Sequence, residues 1–502
     1  MIKTFSADFW EDVKSFAREV LSLLPFSTHT FLLIFIIFAA IIARIPKIGL
    51  SITHDEAYTY LAFIRGSLFQ TVSDYHLPNN HVFSSVLLNL VYHLGGKEIW
   101  VLRIMPLTVG VLMVPASYIL GKRLYNPATG TLAALMVAFF PTLLQFSFLI
   151  RGYILVAFFT LLAFILGNEL RRKKNRFSWL LLVIIFSLGF FTIPTMFFPF
   201  LILYFWLLFS AYIGDFGGSY TSKWDFLRYW LISGFSTAFL TTILYLPILL
   251  FSRDEFFANN SVIPVPWEIL PDRMWGKFLN TWEVWTRAIP SWMIWAVVFG
   301  SIFAFFFHKK LANHRIPMQL AFIVGITTVI LLKRPNSWPR IWSFSIAPLL
   351  IFASAGIVGA FRKLKIKKNP FEWVFIGLMS FLAFIYTAQL IPNLPGYFAG
   401  KSNTQAIADF LDEELRTDDL ILINTTSAPI LEYEMLIRNE TENYFDRKKT
   451  YGRIFLVVQE WNGENLDTML EKFAEPYRFD LDTLQGLRSY GNYHLYEVFP
   501  LQ

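Results

Sequence analysis

Residues 153–176, YILVAFFTLLAFILGNELRRKKNR, hold in one stretch the two features that decide how this chain folds. From Tyr153 to Asn168 there is no Asp, Glu, Lys or Arg, and a membrane helix needs about 20 mostly apolar residues. Arg171, Arg172, Lys173, Lys174 and Arg176 then crowd its end, as expected where a span emerges on the cytoplasmic side. Ten further stretches have the same uncharged interior: 26–43, 104–121, 130–149, 178–193, 195–213, 229–251, 291–307, 317–332, 341–360 and 373–391. The composition agrees. Of 502 residues 55% are hydrophobic and only 16% charged, with 54 Phe, 16 Trp and 21 Tyr, and the mean hydropathy is +0.49. Soluble chains carry about a quarter charged residues, so a soluble protein is excluded. The absence of Cys removes thiolate catalysis, disulfides and Cys-ligated metals.

Basic residues orient the spans. With the amino terminus cytoplasmic, the inner segments hold 20 of the 43 Lys and Arg residues against eight acidic ones, a net of +12. Residues 392–502 hold ten basic and nineteen acidic residues, a net of −9, and eleven spans place them outside. The overall charge of +7 is therefore divided by membrane side and is no nucleic-acid footprint. Residues 1–25, with Phe5, Phe9, Val13, Phe16 and Val20 at helical spacing, read as an interfacial amphipathic helix. Residues 26–391 form the membrane domain, with outer loops 44–103 and 252–290. From 392 the pattern changes to helices at Gln405–Leu415, Ile430–Ile437 and Leu466–Phe473, and strands at Leu420–Asn424, Ile454–Val458 and Tyr493–Phe499. That is a small α/β domain. The expected location is a bacterial inner (plasma) membrane, with the carboxy-terminal domain extracytoplasmic.

The first outer loop begins Ser51-Ile52-Thr53-His54-Asp55-Glu56-Ala57-Tyr58. Adjacent carboxylates near a bilayer are costly to desolvate. One held in a partly apolar cleft can serve as general base for a sugar hydroxyl; the plainer reading is that Asp55 caps the following helix. Asn80 and His81 precede an apolar run, Val82–Leu94, too short to span and suited to the interface. His54, His76 and His81 with Asp55 could assemble a metal site, although no ligand motif matches the spacings; His54, Asp55 and His81 are carried forward, with a divalent cation left open. Arg103, Arg151 and the run Lys333-Arg334-Pro335-Asn336-Ser337-Trp338-Pro339-Arg340 put cations on the side where topology does not want them. Guanidinium groups there suit a phosphate, or simply snorkel to headgroups.

The Asp55-Glu56 pair after span one, Asn80-His81 before an interfacial helix, Trp100–Pro106 entering span two, Gly121–Tyr125 leaving it and Arg151-Gly152-Tyr153 entering span four together resemble glycosyltransferase family 39. This is the group of the GT-C superfamily that includes protein O-mannosyltransferases and the lipid A aminoarabinose transferase. The motifs cover about residues 50–160. The resemblance implies a mainly α, polytopic, GT-C-like membrane protein of about 11 (10–13) transmembrane helices. It implies transfer of a sugar from a polyprenyl-phosphate donor to a lipid, glycan or protein acceptor on the extracytoplasmic side. It also implies that Asp55 is the base, Glu56 orients it or binds the sugar, and Asn80, His81, Arg151 and Tyr153 lie near the cavity. Arg103 matches a position of structural or binding character. Lys333, Arg334 and Arg340 are added on charge and side alone. Two rival readings remain: a flippase or transporter of a lipid-linked sugar, and a ligase or polymerase of pyrophosphate-linked glycans. Uncharged span interiors argue against transport.

Overall fold

Apolar runs bounded by Asn, Ser and Pro fold as helices throughout the computed structural model, which describes residues 2–257, 263–363, 403–423, 428–438, 442–446, 451–460, 464–473 and 479–501. In chain order the first are α1 Ile2–Leu21, α2 Thr28–Arg44, α3 His54–Thr59, α4 Leu68–Ser73, α5 Val82–Gly95, α6 Ile99–Leu124, α7 Pro127–Phe139, α8 Pro141–Phe146 and α9 Tyr153–Arg172. There follow α10 Arg176–Thr192, α11 Phe197–Tyr212, α12 Lys223–Leu244, α13 Leu246–Phe251, α14 Arg253–Phe257, α15 Leu270–Thr286, α16 Ser291–Phe306, α17 His308–Leu311, α18 Met318–Lys333 and α19 Ile346–Lys363. The caps explain many starts: Ser27, Asn126, Asn175 and Ser222 each accept a backbone N–H of the first turn with the side chain.

Ten of the eleven expected spans coincide with helices, and span 373–391 lies outside the described residues. Five of the described helical stretches are long and apolar enough to cross a membrane on length and composition: Thr28–Lys47, Ile99–Leu124, Tyr153–Arg172, Pro194–Tyr212 and Pro339–Arg362. Expected span 130–149 is interrupted, because Pro141 starts a new helix after Phe140 adopts an extended conformation. Expected span 229–251 is likewise split between α12 and α13 at Tyr245–Pro247.

The described chain forms two compact units. The larger comprises residues 1–48, 68–88 and 103–393. Its core is aromatic and aliphatic, centred on α9, α10, α11 and α19, with Phe164, Phe186 and Trp206 fully buried. Helices α16 and α19 approach closely at Gly300 and Gly356, where a Cβ on Gly356 would overlap the Gly300 carbonyl. The amphipathic α1 packs Phe9 and Phe16 edge-on against Phe177, at 5.8 and 5.3 Å, and Asp12 accepts the Arg176 N–H at 2.9 Å.

The smaller unit comprises residues 49–67, 89–102 and 394–502, so parts of the first long loop belong with the tail. The tail contributes α20 Asn403–Glu414, α21 Ala428–Ile437 and α22 Leu466–Phe473. Its strands are β1 Asp419–Ile423, β2 Arg453–Gln459, β3 Phe479–Tyr490 and β4 Tyr493–Pro500. They form one sheet in the order β1-β2-β4-β3. β1 and β2 are parallel, with Leu420 opposite Ile454, and the other pairs are antiparallel. Strand β3 was not expected from the sequence.

Candidate active site

The two candidate catalytic carboxylates lie in the first turn of α3, in the smaller unit. Thr53, not Asp55, is the N-cap. Glu56 reaches back so that its Oε2 accepts both the backbone N–H and the hydroxyl of Thr53, each at 3.0 Å. This capping box satisfies donors that the helix start would otherwise orphan, and it buries Glu56 completely. Asp55 is thereby left out of the cap. Its side chain is 42% exposed, with one carboxylate oxygen 3.6 Å from His54 Nδ1. The arrangement divides the pair into a buried carboxylate that fixes the turn and an accessible one beside it.

The second group lies in the larger unit around the start of α5. Asn80 is buried, and its amide nitrogen donates to the Thr71 carbonyl (3.0 Å) and the Asp74 carbonyl (2.8 Å), closing the loop ahead of the helix. His81 is buried too, and its Nδ1 accepts the Gly152 N–H at 2.8 Å. A ring nitrogen that accepts is unprotonated, so His81 is the neutral tautomer with its proton on Nε2. Burial, then the charges of Arg151 and Arg340, hold its pKa well below the ordinary histidine value. Tyr153 stands edge-on to the His81 ring at 4.8 Å, and Arg151 lies 5.8 Å from the Tyr153 ring centre. Arg151 also donates to the side-chain carbonyl of Asn79 and, at 3.4 Å, to its main-chain carbonyl. Asn80 Oδ1, Ser84 Oγ and Ser85 Oγ are buried without a hydrogen-bond partner among the described residues.

The remaining candidates are distributed differently. Arg340 acts electrostatically on His81. Arg334 ends α18 in a left-handed conformation (φ 43°), the single positive φ at a residue other than glycine among those described. Its carbonyl accepts the Val265 N–H at 2.8 Å, and its guanidinium lies 5.0 Å from the Trp267 ring. Such strain persists where surrounding structure holds it. Lys333 is exposed in the last turn of α18. Arg103 is fully buried and donates to the Ile48 carbonyl at 3.2 Å, beside the turn Ile45–Lys47. Among the described residues no group of three His, Asp or Glu side chains is arranged to hold a metal ion. His54 and Asp55 offer two donors, and His81 Nδ1 is committed to Gly152, so no chemical step is assigned to a metal.

Sequence reasoning missed Thr53, Asn79 and Gly152, the partners that set Glu56, Arg151 and His81. The S/T-x-x-E spacing of Thr53 and Glu56 signals a capping box, whereas Asn79 and Gly152 act across 72 and 71 residues of chain and leave no local signal. Arg44 was missed as well. It is 1% exposed, and its guanidinium is held by neutral oxygens, Ser147 Oγ (3.2 Å) and the carbonyls of Ala40 (3.1 Å) and Ala138 (2.9 Å). None of the candidate site residues lines the apolar cavity of about 520 Å³ bordered by Leu135, Trp292, Met293 and Ile357.

A family model described as dolichyl-phosphate-mannose-protein mannosyltransferase matches residues 82–217. That segment contains Arg103, Arg151 and Tyr153, and begins just after His81. No curated protein sequence matches the chain. Among solved structures, ArnT from Cupriavidus metallidurans bound to undecaprenyl phosphate is similar over 94% of this chain and 98% of its own, with 12% identity and a TM-score of 0.57. The oligosaccharyltransferase of Archaeoglobus fulgidus in complex with Zn and sulfate is similar over 85% of this chain and 67% of its own (15% identity, TM-score 0.53). The same enzyme tethered to an acceptor peptide containing the NVT sequon gives 86%, 69%, 13% and 0.52. At these identities the solved structures establish the fold. The family model covers residues 82–217 of this integral membrane protein, and beyond that segment the likeness is one of fold.

Proposed function

We propose that the chain is a glycosyltransferase that moves a sugar from a polyprenyl-phosphate donor to an acceptor hydroxyl at the extracytoplasmic face of the membrane, with Asp55 as base. The observation that carries this reading is the division of labour in the first turn of α3. One carboxylate oxygen of Glu56 accepts both Thr53 donors in the capping box, and Asp55 is accessible beside it. The reading is supported by the fold shared with ArnT, whose solved form holds undecaprenyl phosphate.

The step is a direct displacement. The acceptor oxygen attacks the anomeric carbon, the bond from that carbon to the phosphate oxygen breaks, and Asp55 takes the acceptor proton. The phosphate leaves with the bonding electrons, and the anomeric centre inverts. Negative charge grows on the departing oxygen, and fixed donors contribute most where charge develops. Arg151 and Arg340 supply positive charge, Lys333 and Arg334 are held as further cations, and His81 offers a neutral Nε2–H. Ser84 and Ser85 supply hydroxyls that make no hydrogen bond among the described residues. Tyr153 packs and orients the His81 ring. Arg103 supports the turn at Ile48. In this reading the amino terminus is cytoplasmic, eleven helices span, and the tail is outside.

The test is an assay of the purified protein in detergent with radiolabelled polyprenyl-phosphate sugars and membrane extract as the source of acceptor. Transfer from one donor with inversion at the anomeric carbon is expected. Donor binding without transfer, combined with donor movement across a sealed bilayer, would replace the enzyme by a flippase.

A further inference from the structure

The helix that carries Asp55 and Glu56 is braced by the tail, within the smaller unit. After Thr59 the α-helical ladder of α3 widens into one π turn, Tyr60–Ile64, closed by the Arg65 N–H on the Tyr60 carbonyl at 3.2 Å. Such turns are rare, insert an extra residue and re-aim the side chains on either side. This one is held at both ends. At its far end Asn89, 1% exposed, donates its amide to the Ile64 carbonyl (2.7 Å) and the Gly66 carbonyl (2.8 Å). At its near end the Tyr60 ring, 2% exposed, is caught between two others. Tyr433 of α21 meets it edge-on at 4.8 Å and 89°, and Tyr92 at 5.7 Å and 82°.

The brace is anchored to the rest of the tail. Helix α21 packs against α3, and Leu431 and Met435 of α21 share a core with Ile407, Leu411, Ile421 and Phe455. Arg438 ties buried Glu434 (2.9 Å) to Asp409 of α20 (2.6 Å). Lys97 donates to the Leu436 carbonyl at 3.2 Å. A continuous packed path therefore runs from the β1-β2 sheet through α21 to the turn behind Asp55.

We propose that the tail domain is a positioning element for the Asp55 helix, with Tyr433 acting through Tyr60 to hold α3 in the orientation that presents Asp55. Tyr433 touches no reacting atom, and its contribution is to orientation. The inference rests on the glycosyltransferase reading for its catalytic consequence, but the brace itself is measurable without activity.

Two readouts on the full-length protein test it. In Tyr433→Ala, kcat is expected to fall roughly 10- to 100-fold, the cost of a small misplacement of a reacting group, while KM for the donor stays within about twofold. Tyr433→Phe retains the edge-to-face contact and is expected to restore kcat. Amide hydrogen exchange of residues 54–64 is expected to quicken in Tyr433→Ala and return to the wild-type rate in Tyr433→Phe. Should the alanine variant fail to fold, Tyr433→Leu fills the core while removing the aromatic pair, and the same results are expected of it. Unchanged exchange in 54–64 would overturn the brace. Quickened exchange with unchanged kcat would overturn the positioning role. A wild type that transfers no sugar from any donor would overturn the glycosyltransferase reading, and the exchange data would still decide the brace.

Discussion

Nδ1 of His81 accepts the backbone N–H of Gly152 at 2.8 Å, a bond that joins the start of α5 to the start of α9 and fixes which histidine nitrogen is free to donate. The contact requires glycine. A Cβ at position 152 would meet the Thr192 methyl at 2.6 Å and His81 Cβ at 3.0 Å.

Gly152→Ala is therefore expected to displace the His81 ring and to destabilise the protein by about 1–3 kcal/mol, the usual cost of overpacking. Thermal unfolding in detergent checks the stability, and donor binding checks the ring. A variant of wild-type stability and affinity would remove the Gly152–His81 bond from the account.

The carboxyl of Glu56 acts as an acceptor for Thr53, and a glutamine oxygen can do the same in a capping box. Glu56→Gln is expected to keep activity within about tenfold, while Glu56→Ala loses the cap at about 0.5–2 kcal/mol and with it the placement of Asp55. Steady-state transfer by the two variants separates the cases. Equal and complete loss in both would assign Glu56 a charge-dependent role.

Two histidines beyond the site make stability depend on pH. His308 and His314 are buried, and their rings lie 4.7 Å apart. Burial lowers both pKa values; His308 and Arg171 lower that of His314 further, while the bond to the His314 carbonyl and the charge of Asp215 partly restore that of His308. The unfolded chain therefore binds protons that the folded chain refuses. The stability these groups contribute is complete above the unfolded value of about 6.5 and is lost as pH falls through the folded values. Melting temperature is expected to fall between pH 7 and 5, and to fall less in a His308→Asn/His314→Gln variant. An identical pH dependence in both proteins would contradict this.

In the tail, Arg453 pairs with fully buried Asp419 (2.7 Å) and with Glu497 (3.0 Å), linking β2 to both of its neighbours. Arg453→Met strands the Asp419 charge, which for a buried pair costs about 3–5 kcal/mol. Hydrogen exchange in β1 and β2 of the full chain is expected to quicken correspondingly. Unchanged protection would show that Asp419 finds another partner.

The membrane architecture was legible because it is written in runs of hydrophobicity, and ten expected spans have their helices. What hydropathy could not show was where those runs break. Pro141 and Pro247 divide two of them, since apolar content does not distinguish one helix from two meeting at a proline. Strand β3 escaped notice because FDLDTLQGLRSY lies at the sheet edge with register shifts at Asp480/Gln485 and Gly486/Arg488, so no regular alternation marks it. Asp55 and His81 could be singled out as candidates by residue type and place in the chain. The N-cap is Thr53 where the sequence pointed to Asp55, because both residue types suit a helix start. The bonds from Gly152 and Asn79 were invisible because only the tertiary fold brings them to their partners.

The most direct test of the central claim compares wild type with Asp55→Asn for sugar transfer from the polyprenyl-phosphate donor that the wild type uses, with folding and donor affinity measured on the same preparations. The substitution keeps size and polarity and removes the base, and general-base catalysis contributes roughly 10²–10⁴-fold. The account predicts that transfer falls by at least about 100-fold while folding and donor affinity stay at wild-type values. Transfer at the wild-type rate by Asp55→Asn would contradict it.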